Sequence, residues 1–193
     1  MFSALLLAAG ESRRMGEFKQ LLTFAGKSFV ACCVDNLLAS RVSEVVVVTG
    51  HRQADVRRAV SDRAVTFAHN EDYREGMSSS IKRGLESVSP SARVLVVALV
   101  DQPHIGPAIF NQVIDAYEKD RPLIVVPTYN GRNGHPIAID LRLKDEILAM
   151  DPRVGLKQVV HAHKDKIVYT EAASEAVLID CDLPEDYRRL LNG

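Results

Sequence analysis

Between Leu7 and Lys19 the chain gathers residue types that can hold a polyphosphate. The stretch reads Leu7-Ala8-Ala9-Gly10-Glu11-Ser12-Arg13-Arg14-Met15-Gly16-Glu17-Phe18-Lys19. Gly10 and Gly16 let the backbone approach a ligand and adopt positive φ. Successive backbone N–H groups in such a loop cradle anionic oxygens. Arg14 offers a two-pronged fork for phosphate, and Lys19 adds a point charge.

Two commoner nucleotide motifs are excluded. A dinucleotide fingerprint needs glycine two positions after Gly10, where Ser12 stands. Gly26-Lys27-Ser28 looks like the end of a Walker A loop, but Leu21 occupies the position of its first glycine. That tripeptide reads as a turn and helix cap. The three cysteines, Cys32, Cys33 and Cys181, are too few for a disulfide framework and have no zinc spacing. They read as small buried side chains in a reducing compartment. His161 and His163 are two apart and diverge on a helix, so they do not read as metal ligands. His51, His69 and His104 belong to no constellation.

The elements around the loop explain why it would be presented. Ser3 to Ala9 is a short apolar run that stops at Gly10, as expected for a strand buried on both faces. Val45–Val48, Val94–Val100 and Leu123–Val126 are similar, and Val65–Ala68 is a weaker fifth. Helical spacing appears over 29–39, 56–60, 81–88 and 108–117, the last opened by Pro107. Alternation of strand and helix predicts an α/β fold: a three-layer, mainly parallel Rossmann-like sheet with helices on both faces. Ligands of such sheets bind beyond the carboxyl ends of the strands, which is where Leu7–Lys19 lies. After Pro127, strands are expected at 136–139, 166–169 and 176–179, with the late ones as an antiparallel addition. Helices are expected at 142–150, 156–162 and 185–191.

The 193 residues suit one domain, 1–193. Lys and Arg number 24 against 25 Asp and Glu, a formal net charge of -1, so bulk nucleic-acid binding by charge is not expected. No apolar run approaches the ~20 residues of a membrane span. The first one lacks a basic stretch before it, so no secretory signal or membrane partner is expected and the cytoplasm is the default.

The pattern L-A-A-G-x-S-x-R-M-G-x-x-K matches Leu7 to Lys19 at every specified position. It resembles the signature of the MobA-like nucleotidyltransferases, a branch of the sugar-nucleotide transferase fold. Further segments resemble the molybdenum-cofactor cytidylyltransferase subgroup. They are Glu75-Gly-Met-Ser-Ser-Ser80, Asp101-Gln-Pro103, Gly131-Arg-Asn-Gly-His-Pro136 and Asp180-Cys-Asp-Leu-Pro-Glu-Asp186. Leu183 departs from the usual threonine, and Asn133 from a common arginine.

The resemblance implies transfer of CMP from CTP to the terminal phosphate of molybdopterin, with Mg²⁺ as cofactor and pyrophosphate leaving. Gly10, Arg14 and Lys19 would neutralise the triphosphate, and Asp101 with Asp182 would hold the metal; Asp180 is the other candidate. Arg14, Lys19 and Asp101 are thus the catalytic candidates. Ala8, Ala9, Gly10, Ser12, Arg14, Met15, Gly16, Lys19, Asn70, Ser78, Ser79 and Ser80 are the candidates for nucleotide binding. The Ala8-Ala9 pair resembles members that use CTP rather than GTP. Gly134, His135 and Pro136 would meet the acceptor, although His135 reads equally as a brace for its loop. The implied partners are CTP, a molybdopterin-type acceptor, and a molybdoenzyme or its chaperone. Guanylyl transfer, another acceptor, a non-catalytic cofactor carrier and a redox protein on the same scaffold stay open at this level.

Overall fold

The computed structural model describes residues 1–192. In chain order the strands are β1 (Phe2–Ala8), β2 (Thr23–Phe24), β3 (Lys27–Ser28), β4 (Glu44–Thr49) and β5 (Thr66–His69). They continue with β6 (Val94–Leu99), β7 (Ile124–Tyr129), β8 (Arg132–Asn133), β9 (Ile137–Asp140) and β10 (Ile167–Glu171). The helices are α1 (Phe29–Leu38), α2 (Gln53–Ala59), α3 (Met77–Glu86), α4 (Pro107–Asp120), α5 (Lys144–Ala149), α6 (Leu156–Ala162) and α7 (Pro184–Asn192).

The main sheet has the order β10-β7-β9-β6-β1-β4-β5, with β8 pairing β7 at its end. β5, β4, β1 and β6 are mutually parallel, as are β7 and β10. β9 runs antiparallel between β6 and β7. β2 and β3 make a separate hairpin. Ala25 and Gly26 turn it, and Ser28 caps α1 by accepting from Ala31 N–H at 3.3 Å. Gly26-Lys27-Ser28 is thus the turn and cap expected.

Strand alternation divides the core in two. Ala4, Leu6 and Ala8 of β1 face α1, α2 and α4, through residues such as Val34, Val56 and Phe110. Leu5, Leu7 and Ala9 face α3, α5 and α6, through Ile81, Ile147 and Val159. Helices therefore cover both faces, giving the three layers expected. Each fully buried Leu, Ile or Val contributes about 1.5–3 kcal/mol. Cys32, Cys33 and Cys181 are buried and free. Among the described residues no helix is long and apolar enough to cross a membrane.

Three expectations for the second half need correction. Ala176–Ile179 is not a strand. Glu175–Leu178 forms a 3-10 turn that buries Val177 against the sheet. β10 joins β7 in parallel, not antiparallel; the antiparallel strand is β9. The expected helix over 142–150 begins as a 3-10 turn, Leu141–Leu143, because Asp140 accepts from Arg142 N–H and tightens the start.

Candidate active site

Three segments meet at the carboxyl edges of β1 and β6. The first is the loop after β1. Met15 N–H donates to Ser12 O at 3.0 Å to close its turn. Ser12 has φ 57 and Gly16 φ 76. Positive φ strains a non-glycine residue, and Ser12 is held there by its hydroxyl. Its Oγ accepts from Lys19 N–H and donates to Gln20 Oε1, both at 3.1 Å. Gln20 Nε2 turns back to donate to Ala8 O at 3.1 Å and Gly10 O at 2.8 Å. Met15 is buried with Leu22, Phe29 and Cys181 and anchors the loop from below. At Gly10 a Cβ would meet nothing within 4 Å, so the backbone there is open to an incoming group.

The second segment follows β6 and carries Asp101. The third, Ile179–Leu183, returns from the far side and is tied to it by Cys181 N–H donating to Asp101 O at 3.0 Å. That bond brings Asp182 to the Lys19 ammonium. Lys19 Nζ lies 2.7 Å from Asp182 Oδ1 and 3.1 Å from Asp101 Oδ2, while Arg14 Nη2 lies 2.9 Å from Asp182 Oδ2.

The electrostatics follow from this crowding. Burial weakens the Lys19 ammonium, but Asp101 and Asp182 outweigh it and raise its pKa. Burial would raise Asp182, yet Lys19 and Arg14 hold it below the usual carboxylate range. Asp180 behaves oppositely: burial pushes its pKa up, and the charges of Asp101 and Asp182 add to that. Its Oδ1 accepts from Gln102 Nε2 at 2.9 Å. At the rim, Glu11 engages Arg74 and Arg13, and those bonds lower its pKa to about 2.

A cleft of about 350 Å³ opens here. Ala9, Gly10, Ser12, Arg13 and Arg14 border it, with Tyr73, Gly76, Met77 and Ser80 and the trio Lys19, Asp101 and Asp182. The donor set suits a hard divalent cation. Asp101 Oδ1 is buried with no hydrogen-bond partner, and the other oxygen shares one cation with Asp182. Mg²⁺ is held by one or two carboxylates when substrate phosphates complete its sphere.

A second cavity, about 540 Å³, adjoins the first at Met77, which borders both. Its apolar floor is Val97, Val126 and Ile137; Ser78, Asn133, Gly134, His135 and the segment Pro152–Lys157 complete it. At Gly134 a Cβ would lie 2.3 Å from Val177 O, so only glycine lets the segment between β8 and β9 pass. His135 N–H donates to Val177 O at 2.9 Å. The ring's Nδ1 is buried without a partner, and burial lowers its pKa, against the pull of Asp101.

Residues 4–167 match the family model of the MobA-like NTP transferase domain. The chain belongs to that family. It is 24% identical over 184 residues to the molybdenum cofactor cytidylyltransferase of Escherichia coli (strain K12), covering 95% of this chain and 92% of that one. It is 27% identical to a probable molybdenum cofactor guanylyltransferase of Natranaerobius thermophilus, over 67% of this chain and 61% of that one. In three dimensions it is similar to Rv0371c from Mycobacterium tuberculosis H37Rv. The TM-score is 0.87 at 27% identity, over 100% of this chain and 97% of that one. A manganese complex of Rv0371c aligns with TM-score 0.82 at 25% identity, over 100% and 98%. This MobA-like chain is therefore a nucleotidyltransferase.

In this transferase, the residues named from sequence separate into groups. Ala9, Gly10, Ser12, Arg14, Lys19, Ser80, Asp101 and Asp182 border the first cleft. Ala8 and Met15 are buried behind and beneath the loop, Gly16 turns it on the exposed side, and none of the three borders the cleft. Asn70 is buried, and its Nδ2 donates to Ser79 Oγ and Ser80 Oγ at 2.9 and 3.0 Å, bracing the start of α3. Ser79 Oγ donates to Asp72 O and Gly76 O, and Ser78 Oγ donates to Pro152 O. Ser78 belongs to the second cavity, with Gly134 and His135. Pro136 borders a small void beside Cys33 and Gln102 instead. Sequence reasoning missed Gln20, whose signal was a polar residue beside Lys19 and ahead of Leu21-Leu22. It also missed Tyr73 and Pro152–Lys157, and it noted Met77 only as part of the Glu75–Ser80 segment.

Proposed function

We propose that this chain transfers CMP from CTP to the terminal phosphate of a molybdopterin-type cofactor and releases pyrophosphate. The convergence of Arg14, Lys19, Asp101 and Asp182 on one cleft carries this reading. Nucleotidyl transfer is an in-line displacement at the α-phosphorus, and it needs charge neutralisation and alignment. Arg14, Lys19 and the open backbone at Gly10 would hold the β- and γ-phosphates and the departing pyrophosphate. Asp101 and Asp182 would hold Mg²⁺, which supplies positive charge beside the reacting phosphate. Ser12 and Gln20 brace the backbone of the loop, so binding would ask for movement of side chains rather than of the main chain.

The acceptor would occupy the second cavity. Its apolar floor suits a flat heterocycle, and it meets the first cleft at Met77. A phosphate acceptor is already anionic at neutral pH, so no general base is needed. His135 Nδ1, buried and unpartnered, would hydrogen-bond to the acceptor.

CTP is favoured by the likeness to the E. coli cytidylyltransferase and by the Ala8-Ala9 pair, which resembles members that use CTP. GTP is the second reading, on the likeness to the guanylyltransferase. Pyrophosphate release is measured with Mg²⁺, purified molybdopterin and each nucleotide in turn. CTP-dependent release is expected. Release with GTP alone would reassign the nucleotide, and none with any nucleotide would defeat the reading.

A further inference from the structure

The Lys19 ammonium sits between two carboxylates at the edge of the first cleft. It lies 2.7 Å from Asp182 Oδ1 and 3.1 Å from Asp101 Oδ2, nearly buried, with Arg14 on the remaining Asp182 oxygen. Three of the four oxygens are thus satisfied by side-chain cations, and the fourth, Asp101 Oδ1, has no partner. A divalent ion and this ammonium draw on the same oxygens. At about 2.0–2.1 Å from them, the ion would stand against a buried like charge.

We infer that Lys19 is an internal placeholder for the divalent cation, which keeps the carboxylate pair closed to free metal until a triphosphate draws the ammonium away. This rests on the proposed metal–nucleotide site and deepens it, because it assigns an order to its filling. The same side chain serves both states. Without nucleotide it neutralises Asp101 and Asp182. With nucleotide its positive charge has phosphate oxygens to pair with, and so has Arg14. The triphosphate then vacates the carboxylates and brings ligand oxygens of its own. Ser12 makes the exchange a side-chain motion, because its Oγ holds the Lys19 backbone N–H at 3.1 Å while the long side chain swings. Coupling of this kind is reciprocal: whatever nucleotide adds to metal affinity, metal adds to nucleotide affinity.

The test is Mn²⁺ binding to the protein, read as the loss of the free-ion spin-resonance signal beyond that of a protein-free sample with the same CTP, because the triphosphate alone also binds the ion, and repeated without CTP. The wild type should bind Mn²⁺ weakly alone and tightly with CTP. Lys19→Met should tighten nucleotide-free Mn²⁺ binding by at least about tenfold, because a like charge at ~4 Å has gone. The same variant should weaken CTP. Lys19→Gln should show the same gain, and its amide can donate to the carboxylates, which protects the fold. Lys19→Arg, which keeps the charge, should stay weak for metal alone. A gain of binding is not a consequence of structural damage. Unchanged or weaker Mn²⁺ binding in folded Lys19→Met and Lys19→Gln would overturn the placeholder. If the wild type fails to bind Mn²⁺ with CTP at all, the metal–nucleotide reading itself fails.

Discussion

Asp101 has two oxygens in different circumstances. Oδ2 is held by Lys19, and Oδ1 is buried and unpartnered. An unpartnered buried acceptor costs free energy, so Asp101→Ala should leave the folded state intact. Turnover should fall by ~10²–10³, the usual cost of one electrostatic stabiliser. Steady-state pyrophosphate release beside a thermal melt checks both, and near-wild-type turnover would remove Asp101 from the chemistry. At this scale the sequence was informative about type and poor about pairing. Arg14, Lys19 and Asp101 were legible because a charged residue beside a buried strand end has few places to go. That Lys19 pairs with Asp101 and Asp182 was not, since those pairings span 82 and 163 positions. The resemblance put Asp182 first and Asp180 second, and the two differ in space: Asp180 pairs with Gln102 and Asp182 with Lys19.

Two contacts show how the elements are held to the sheet that presents the site. Gly84 of α3 lies so close to β1 and β4 that a Cβ would stand 2.1 Å from Leu5 Cδ1 and 2.8 Å from Val48 Cγ2. Gly84→Ala should therefore destabilise by ~1–3 kcal/mol, read as a lower denaturant midpoint at unchanged slope. At the end of β9, buried Asp140 accepts from Tyr117 O–H of α4 and from Arg142. Burial would raise its pKa, but the bonds from Arg142 and Tyr117 outweigh it and hold the pKa low. A carboxylate depressed on folding stabilises above its unfolded pKa of about 3.9 and loses that contribution as pH falls through the folded value. Asp140→Asn should thus flatten the loss of stability on the acid side of about pH 4, in melts taken stepwise from neutral pH. The elements were largely legible where apolar runs were long, as in β1, β4 and β6. Ala176–Ile179 misled because a short apolar run has no period of its own. Val177 is buried by a turn packed on the sheet.

For the whole molecule, nucleotide binding should appear as stability. A ligand at a hundred times its dissociation constant adds about 2.7 kcal/mol, a midpoint shift of roughly 5–10 °C at this size. That shift is expected with CTP and Mg²⁺ together and should vanish in Lys19→Ala; a larger shift with GTP would favour the second reading. The three-layer plan was legible from alternation alone. The position of β9 was not, because antiparallel insertion between β6 and β7 is decided by pairing across the sheet. The bond from Cys181 N–H to Asp101 O has a further consequence, in the time of synthesis. The phosphate loop leaves the ribosome early, but Asp182 lies 163 positions after Lys19. At 5–20 residues per second that interval is roughly 8–33 s. Asp101 follows Lys19 by 82 positions, so only in about the second half of that interval could the two meet, and the site is completed only when the returning segment docks.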